Sequence, residues 1–257
     1  MVKPATISWM QIKTFTTASI KSRYRNTLAG LLWVILSPLL MFGAQSFAFK
    51  YVLRIEFANY PLFLLTGLMP WIFLMQSINM GTGLILSQSR LLKSFPIHPL
   101  ACLLAMIVDN LINFVMTFLV ILVPLVLLSA DVKGIYFLLM PIPLLSLLIA
   151  TVGLVWFLSV LQVFFYDTRY IVEFVTSIAF FVTPIFYPRQ FVGPEFQWLL
   201  DLNPLNFLFA PLQALSRPVL PDNFLSLVGQ SYAVSLSIFT LASLFWWRKR
   251  NLLYFSL

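Results

Sequence analysis

Long stretches without a charged side chain constrain this chain more than any other feature of its sequence. The 24 residues between Arg25 and Lys50 carry no formal charge. Further gaps of this kind cover residues 57–89, 134–166 and 223–247. A helix needs about 20 predominantly apolar residues to cross the hydrocarbon core of a bilayer. The pattern therefore predicts a membrane protein that crosses the bilayer several times.

The composition excludes the other broad classes. Hydrophobic side chains make up 61% of the residues and charged ones only 9%, whereas a soluble domain is about 25% charged. The mean hydropathy is +0.95. The net charge of +8 comes from 16 cations that are scattered among apolar runs. Such cations form no stripe that neutralises many phosphates, so nucleic acid is not an expected partner.

The charge gaps predict an all-α integral membrane protein with six transmembrane helices. Their approximate bounds are 28–49, 60–86, 100–128, 136–165, 170–187 and 224–247. We expect the second span to be interrupted near residues 67–70, because Pro70 lacks a backbone donor. The six-span domain then covers residues 26–257 and follows a segment of residues 1–25.

The distribution of cations predicts the orientation. Six spans place both termini on the same side, and the more cationic side is the cytoplasmic one. With the termini inside, the inner segments hold eleven of the sixteen cations, which are Lys3, Lys13, Lys21, Arg23, Arg25, Arg90, Lys93, Arg169, Arg248, Lys249 and Arg250. We therefore expect cytoplasmic termini.

Two segments do not fit a plain bundle, and each has two interpretations. Residues 1–25 mix apolar and basic side chains, which indicates either a helix lying along the inner leaflet or a plain basic leader before the first span. Residues 189–222 contain apolar stretches that are too short to cross and are broken by prolines. They predict short re-entrant helices on the outer side, or else an ordinary loop packed on the bundle.

Motifs for catalysis are missing from the sequence. It contains no phosphate-binding G-x-x-x-x-G-K-[ST] loop, no H-E-x-x-H and no G-x-S-x-G. A lone Cys102 and a lone His98 provide too few soft ligands for zinc or haem, so we assign no metal. We interpret His98 as a histidine of an inner surface loop and expect no cofactor in this chain.

Polar groups inside the third span are the intramembrane candidates. Asp109 lies well inside it, where an ionisable group is costly. Asn113 follows four residues later on the same helical face. This face either lines a polar path or locks one helix to another, and we favour the locking role. Glu173 near the start of the fifth span is expected to pair with Arg169.

Aromatic residues make up 16% of the chain. Most are expected to serve packing and interfacial belts. Some present ring faces that suit the apolar C–H faces of sugars. The candidate channel and gate residues are Trp33, Trp156, Phe180, Phe186, Tyr187 and Pro188.

Several short motifs together resemble one family. The run SRYRNTLAGLLWVILSPLL at residues 22–40, LKSFPIHPL at 92–100, TPIFYP at 183–188 and Asn203-Pro204-Leu205 follow one another in order. Together with Gly67-Leu68 and the six-span count, they resemble the membrane subunit of ABC transporters that export polysaccharides, the O-antigen, capsule and teichoic-acid exporters. One departure is Asp167-Thr168-Arg169, where the family has an adjacent Arg-Asp pair.

The resemblance implies a permease, not an enzyme, in the cell inner membrane. Two copies of the chain would enclose the pathway for a lipid-linked polysaccharide among membrane lipids. Two copies of a separate ATPase subunit, which binds ATP and Mg, would drive it. Residues 89–99 correspond to the coupling loop, with Arg90, Leu92, Lys93, Phe95 and Pro96 contacting the ATPase; simple positive-inside topology is the alternative reading.

The resemblance also implies a site for the substrate head group and leaves two rival functions open. Arg23, Tyr24 and Arg25 would lie where an anionic lipid head group approaches, and arginine suits phosphate because its planar fork donates two parallel bonds. An exporter of drugs or small lipids would share the architecture. An integral-membrane transferase acting on lipid-linked sugars is the less favoured rival, because it would need clustered carboxylates or histidines.

Overall fold

The computed structural model describes residues 8–24, 28–52, 59–95, 97–128 and 134–256. Within these ranges the chain forms α-helices and short helical turns, with no β-strand. The α-helices are α1 (Trp9–Tyr24), α2 (Leu28–Phe47), α3 (Tyr60–Thr82), α4 (Leu84–Ser87), α5 (Ser89–Ser94), α6 (Pro99–Leu128), α7 (Pro141–Phe164), α8 (Thr168–Val182), α9 (Gln197–Leu202), α10 (Pro204–Ala214) and α11 (Phe224–Ser256). The all-α class is therefore confirmed.

Within the described ranges, five helical segments are long and apolar enough to cross a membrane. They are Ile35–Val52, Tyr60–Thr82, Pro99–Leu128, Gly134–Phe164 and Phe224–Arg250. The segment Ile35–Val52 joins the end of α2 to a π-helical turn, Ala48–Val52. The predicted first, second, third, fourth and sixth spans each overlap one of these segments. The sixth span continues as helix to Ser256 and carries the basic run 248–250 within it.

The predicted fifth span is the exception. Its helix α8 has only 15 residues, fewer than the about 20 that a helix needs to cross the hydrocarbon core alone. The six residues that follow, 183–188, are not helical, and Thr183, Pro184 and Ile185 are buried. Irregular backbone is tolerated at membrane depth only where protein shields it. The fifth predicted span, and with it the total of six spans, therefore stays a prediction.

Helix α3 lies at the centre of the bundle. It contacts α2, α6, α7, α8 and α10, and side chains from Leu62 to Leu74 are almost all buried. Its start is set by Asn59, which adopts φ 56° in the left-handed region that Asn tolerates better than most residues. The predicted interruption near residues 67–70 is wrong, because α3 runs unbroken through Pro70. Packing on all sides compensates for the one missing hydrogen bond.

Close packing of α7 on α11 forms one side of the bundle. The hydroxyls of Ser146 and Ser231 share a hydrogen bond, and Tyr232 donates to the carbonyl of Ile142 at 2.9 Å. A Cβ added at Gly153 would lie 2.9 Å from the Cα of Phe239. Only a residue without a side chain permits this approach, so the small residues of α7 fix the distance between the two helices.

Candidate functional site

Segment 183–188, which follows α8, is held in place by side chains from other elements. The amide of Gln213 on α10 donates from Nε2 to the carbonyls of Pro184 at 2.8 Å and Ile185 at 3.3 Å. The hydroxyl of Tyr60 donates to the carbonyl of Phe186 at 2.9 Å. The carbonyl of Ile185 also lies against Gly67, where an added Cβ would be only 2.7 Å from it. These hydrogen bonds satisfy the backbone carbonyls of residues 184–186, which follow the end of α8 and lie outside any helix.

Helix α10 of region 189–222 is part of the core. Leu208, Phe209 and Leu212 of α10 are almost fully buried, and α10 packs against α3, α7 and α11. Asn203 caps α10, since its Oδ1 accepts from the backbone N–H of Leu205 at 3.0 Å. Its amide also donates to the hydroxyl of Thr183 at 2.9 Å. The predicted short helices exist, and their depth in the membrane stays a prediction.

Aromatic rings gather around this segment. The ring centroid of Phe186 lies 5.3 Å from that of Phe180, 4.9 Å from Tyr187 and 4.9 Å from Phe49. Phe180 also contacts Trp71 of α3 at 5.7 Å. We call these five residues the aromatic cluster. Three of the predicted channel residues, Phe180, Phe186 and Tyr187, therefore lie together.

An open cleft adjoins the aromatic cluster. It has a volume of about 330 Å³ between α2, α3 and α8. Trp71, Phe180 and Phe181 provide ring faces, and the hydroxyls of Thr176 and Ser177 lie beside them. Both hydroxyls donate to carbonyls of α8, Thr176 to Val172 and Glu173, and Ser177 to Glu173, which leaves their lone pairs as acceptors.

The remaining predicted channel residues lie elsewhere. Trp156 is buried between α7 and α11, where its ring lies 5.8 Å from that of Trp246 and 6.0 Å from that of Phe239, so it packs the core away from the aromatic cluster. Pro188 is buried at the end of segment 183–188. Trp33 is exposed on α2 and lines a second cleft.

Helix α5 provides the surface of the predicted coupling loop. Arg90 and Lys93 are exposed, and the Phe95 side chain has 60% of its surface exposed. Leu92 is only 5% exposed. Leu92 anchors α5 to the core of its own chain, and its predicted contact with the ATPase stays a prediction. Pro96 lies outside the described residues.

His98 connects the coupling loop to the bundle. Its Nδ1 accepts a hydrogen bond from the backbone N–H of Leu100 at 3.2 Å, in the first turn of α6. Its ring lies 5.4 Å from that of Trp246 on α11. Half-burial lowers the pKa of His98 below its ordinary value, since desolvation penalises the charged imidazolium. The histidine is thus more buried than a surface loop residue, and its burial favours the neutral imidazole.

Helix α1 docks on the first half of α6. Ile12 packs against Ala101 and Ala105, and the hydroxyl of Thr16 donates to the carbonyl of Ala105 at 3.3 Å. The hydroxyl of Ser19 donates to Oδ2 of the buried Asp109 at 3.0 Å. Asp109 therefore locks one helix to another, which supports the favoured interpretation.

The face of α1 opposite Ile12 is exposed, with Met10, Thr17 and Lys21 along it, and Trp9 is exposed at the start of the helix. Exposed apolar side chains beside a cation suit a helix that lies along the leaflet. Of the predicted head-group residues, Arg23 and Tyr24 fall in the last turn of α1 with side chains that are not described, and Arg25 lies outside the described residues. Asn113 lines the same cleft as Trp33.

Charged and metal-binding groups are sparse in the described part of the chain. The predicted pair of Arg169 and Glu173 is confirmed, with Nε 3.1 Å from Oε1. A second pair joins Arg189 to Asp201 across region 189–222. The described residues hold no group of three metal-ligating side chains. What the site offers is ring faces, hydroxyls and amides.

Sequence reasoning missed several residues of this site. Asn203 carried a usable signal, because Asn followed by Pro is a common start of a helix. The partners of Tyr60 and Gln213 are backbone carbonyls of distant segments, and no local pattern predicts such pairs. Ser19 and Thr16 lie on the face of α1 that also carries Ile12, at helical spacing, and that spacing could have indicated a docking face.

Long apolar helices packed around α3, with the buried helix α10 among them, define a polytopic helical membrane protein. The family model described as ABC-2 type transporter matches residues 10–215. The chain belongs to this family.

Individual relatives within the family show a more specific similarity. The chain is 32% identical over 204 residues to the O-antigen export system permease protein RfbA of Myxococcus xanthus, and the match covers 76% of each chain. It is 29% identical over 190 residues to a protein of the same name from Klebsiella pneumoniae, covering 74% of this chain and 73% of that relative. The predicted resemblance is confirmed. Family membership makes the chain a transporter subunit rather than an enzyme and implies an ATP-binding partner subunit.

Proposed function

We propose that the chain is the membrane subunit of an ATP-driven exporter that moves a lipid-linked O-antigen polysaccharide across the cytoplasmic membrane. The observation that carries this proposal is the match to O-antigen export permeases over three quarters of both chains. Two copies of the chain enclose the path, and both termini lie in the cytoplasm. ATP and Mg bind to the two ATPase subunits and not to this chain.

The arrangement of rings and hydroxyls suits a sugar polymer. Ring faces of the aromatic cluster pack against apolar C–H faces, and the neighbouring Thr176 and Ser177 accept hydrogen bonds from sugar hydroxyls. Neither contact requires a charge, so successive sugars can pass without a strong binding step. On this proposal the lipid pyrophosphate is held by Arg23, Tyr24 and Arg25 at the end of α1, since arginine donates paired bonds to phosphate oxygens.

Helix α5 transmits the motion of the ATPase. Arg90 and Lys93 present charge to the partner, and Phe95 presents an apolar side chain that an interface can bury. Leu92 holds the helix to the core of the bundle, so a force applied at Phe95 is transmitted to that core. Exposed aromatic residues are common anchors of protein interfaces.

The first experiment tests the export itself. In a strain lacking this gene, we expect lipid-linked O-antigen to accumulate inside the cell and to disappear from its surface, as measured by mass spectrometry of extracted glycolipids and by surface labelling. The wild-type chain restores export. Normal surface O-antigen in the deletion strain would contradict the proposal.

The second experiment tests coupling. Phe95→Ala should lower export and leave less ATPase bound to the purified permease. Phe196→Ala is the matched control, because Phe196 is 56% exposed on region 189–222, which the proposal places on the opposite face. Equal ATPase binding by both variants would reject the role of α5.

A further inference from the structure

A second cleft lies between α2, α3 and α6, apart from the aromatic cluster. Its volume is about 220 Å³, which is below the about 300–1,000 Å³ of pockets for drug-sized ligands. The residues that matter here are Trp33 and Ser37 of α2, Gln76 of α3, and Asn110, Asn113 and Thr117 of α6. The space suits one small unit of a larger ligand.

The cleft lies at membrane depth. Asn110 is the twelfth residue of α6, about 17 Å along the helix at ~1.5 Å per residue. The helix Pro99–Leu128 is long and apolar enough to cross a membrane, and Asn110 and Asn113 lie in the middle third of its 30 residues. Polar side chains at such depth are costly unless they are paired or functional. Five polar residues around one cleft therefore need a reason.

Three of these polar groups have no hydrogen-bond partner among the residues that the structure describes. Within the described residues, the side chains of Ser37, Gln76 and Thr117 make no hydrogen bond. Thr117 is only 3% exposed, so its hydroxyl meets little but the cleft. Asn110, in contrast, is fixed: its amide donates to the hydroxyl of Ser77 at 3.2 Å and to the sulfur of Met106 at 3.3 Å. The cleft thus combines an oriented amide with unpaired donors and acceptors.

The chemistry of the lining selects the ligand. Among the described residues that line the cleft, none is ionisable, so it has no counter-charge for a phosphate or a cationic drug. An acyl chain would leave the hydroxyl of the buried Thr117 and the amide of Gln76 unpaired, and each unpaired group is penalised. A hydroxyl-rich neutral group can pair with all of them, and the exposed indole of Trp33 at the opening offers it a ring face.

We propose that this cleft binds a neutral sugar unit of the transported glycan. The inference rests on the proposed function and adds a site to it. Hydroxyls of the sugar exchange hydrogen bonds with Gln76 and Thr117, and the hydrogen bond to Ser77 fixes the orientation of the Asn110 amide. The cleft selects for uncharged, hydroxyl-bearing units inside the membrane.

Substitutions of the unpaired groups test the site. Gln76→Leu and Thr117→Val in the complete transporter should each weaken binding of purified lipid-linked glycan about fivefold, the typical effect of losing one hydrogen bond. The matched controls are Asn79→Leu, an exposed amide of α3 outside the cleft, and Thr82→Val, whose hydroxyl bonds to Ile78 of its own helix. The controls should bind as the wild type does.

Chemical protection gives a second readout that does not depend on export. In a Cys102→Ala background, Gln76→Cys and Asn79→Cys are labelled with a small uncharged thiol reagent, with and without the glycolipid. Glycolipid should slow labelling at position 76 at least fivefold and leave position 79 unchanged. Equal labelling at both positions, in a complex that still binds the glycolipid, would overturn this site and leave the proposed export intact. Failure of the export proposal would show separately as normal surface O-antigen in the deletion strain.

Discussion

Replacing Gly67 by Ala tests how tightly segment 183–188 is held. A Cβ at this position would lie 2.7 Å from the carbonyl oxygen of Ile185 and 2.7 Å from Nε2 of Gln213. The amide can rotate away, but it then loses its bonds to Pro184 and Ile185. The carbonyl belongs to the backbone and moves only with the whole segment.

The cost follows from these two contacts. Overpacking of a tight core costs about 1–3 kcal/mol. The two hydrogen bonds of Gln213 contribute about 0.5–1.5 kcal/mol each. Since the clash and the lost bonds overlap, we expect Gly67→Ala to lower the free energy of unfolding by about 2–4 kcal/mol.

Denaturant unfolding of the purified chain in detergent measures this change. Gly229→Ala is the control, because nothing lies within 4 Å of an added Cβ there and the helix of α11 should gain up to about 1 kcal/mol. In the double variant Gly67→Ala/Gln213→Ala, the cost should be less than the sum of the single costs, because both changes remove the same hydrogen bonds. Strict additivity, or a stable Gly67→Ala variant, would refute this account of the contact.

Three further predictions concern other contacts. Asn203→Ala removes the cap of α10 and a second hydrogen bond, so the free energy of unfolding should fall by about 1–2 kcal/mol in the same assay. Gly153→Ala places a Cβ 2.9 Å from the Cα of Phe239; it should cost about 1–3 kcal/mol and slow disulfide trapping between cysteines introduced across α7 and α11. Burial lowers the pKa of His98 below 6.5, so the unfolded chain binds the proton first as the pH falls and the folded state loses stability below about pH 6.5. The melting temperature should therefore drop between about pH 7 and pH 5, and drop less in His98→Asn, which keeps an acceptor for Leu100.

The long spans were predictable because length and the absence of charge decide them. The third span was expected at residues 100–128, and α6 covers Pro99–Leu128. Its proline at the first position fits a helix start, where no donor is needed. The bounds of the fifth span were predicted less well. Helix α8 ends at residue 182, and side chains of α3 and α10, not the local sequence, provide the hydrogen-bond partners of the backbone that follows.

The direction of single side chains was not predictable. Leu91 and Leu92 are neighbours in a six-residue helix, and sequence alone does not say which of them faces the core. Pro70 was expected to break α3, but packing from five other helices holds the backbone in place. In both positions tertiary contacts outweigh the local signal, which is the usual reason that sequence patterns fail.

Some groups of the candidate sites were likewise predictable from the sequence and others were not. Phe186 and Tyr187 of segment 183–188 were predicted as candidate channel residues together with Phe180, and these three rings do lie together. The polar cleft was not predicted, since Gln76 and Thr117 come from separate helices and neither is unusual by itself. Asp109 was predicted because a carboxylate in an apolar run is conspicuous, although its partner Ser19 was not.

The docking of α1 on α6 has a consequence for how the protein is made. Ser19 and Asp109 are 90 positions apart in the chain, so α1 leaves the ribosome long before α6, the helix on which it docks, has been synthesised. Until the third span has been inserted, α6 is not there for α1 to dock on. We therefore expect α1 to lie on the surface of the bilayer during this time, with Trp9 and Met10 toward the lipid. Helix α1 is thus synthesised well before α6 but reaches its final place only after α6, and in a chain that stalls before α6 it stays undocked.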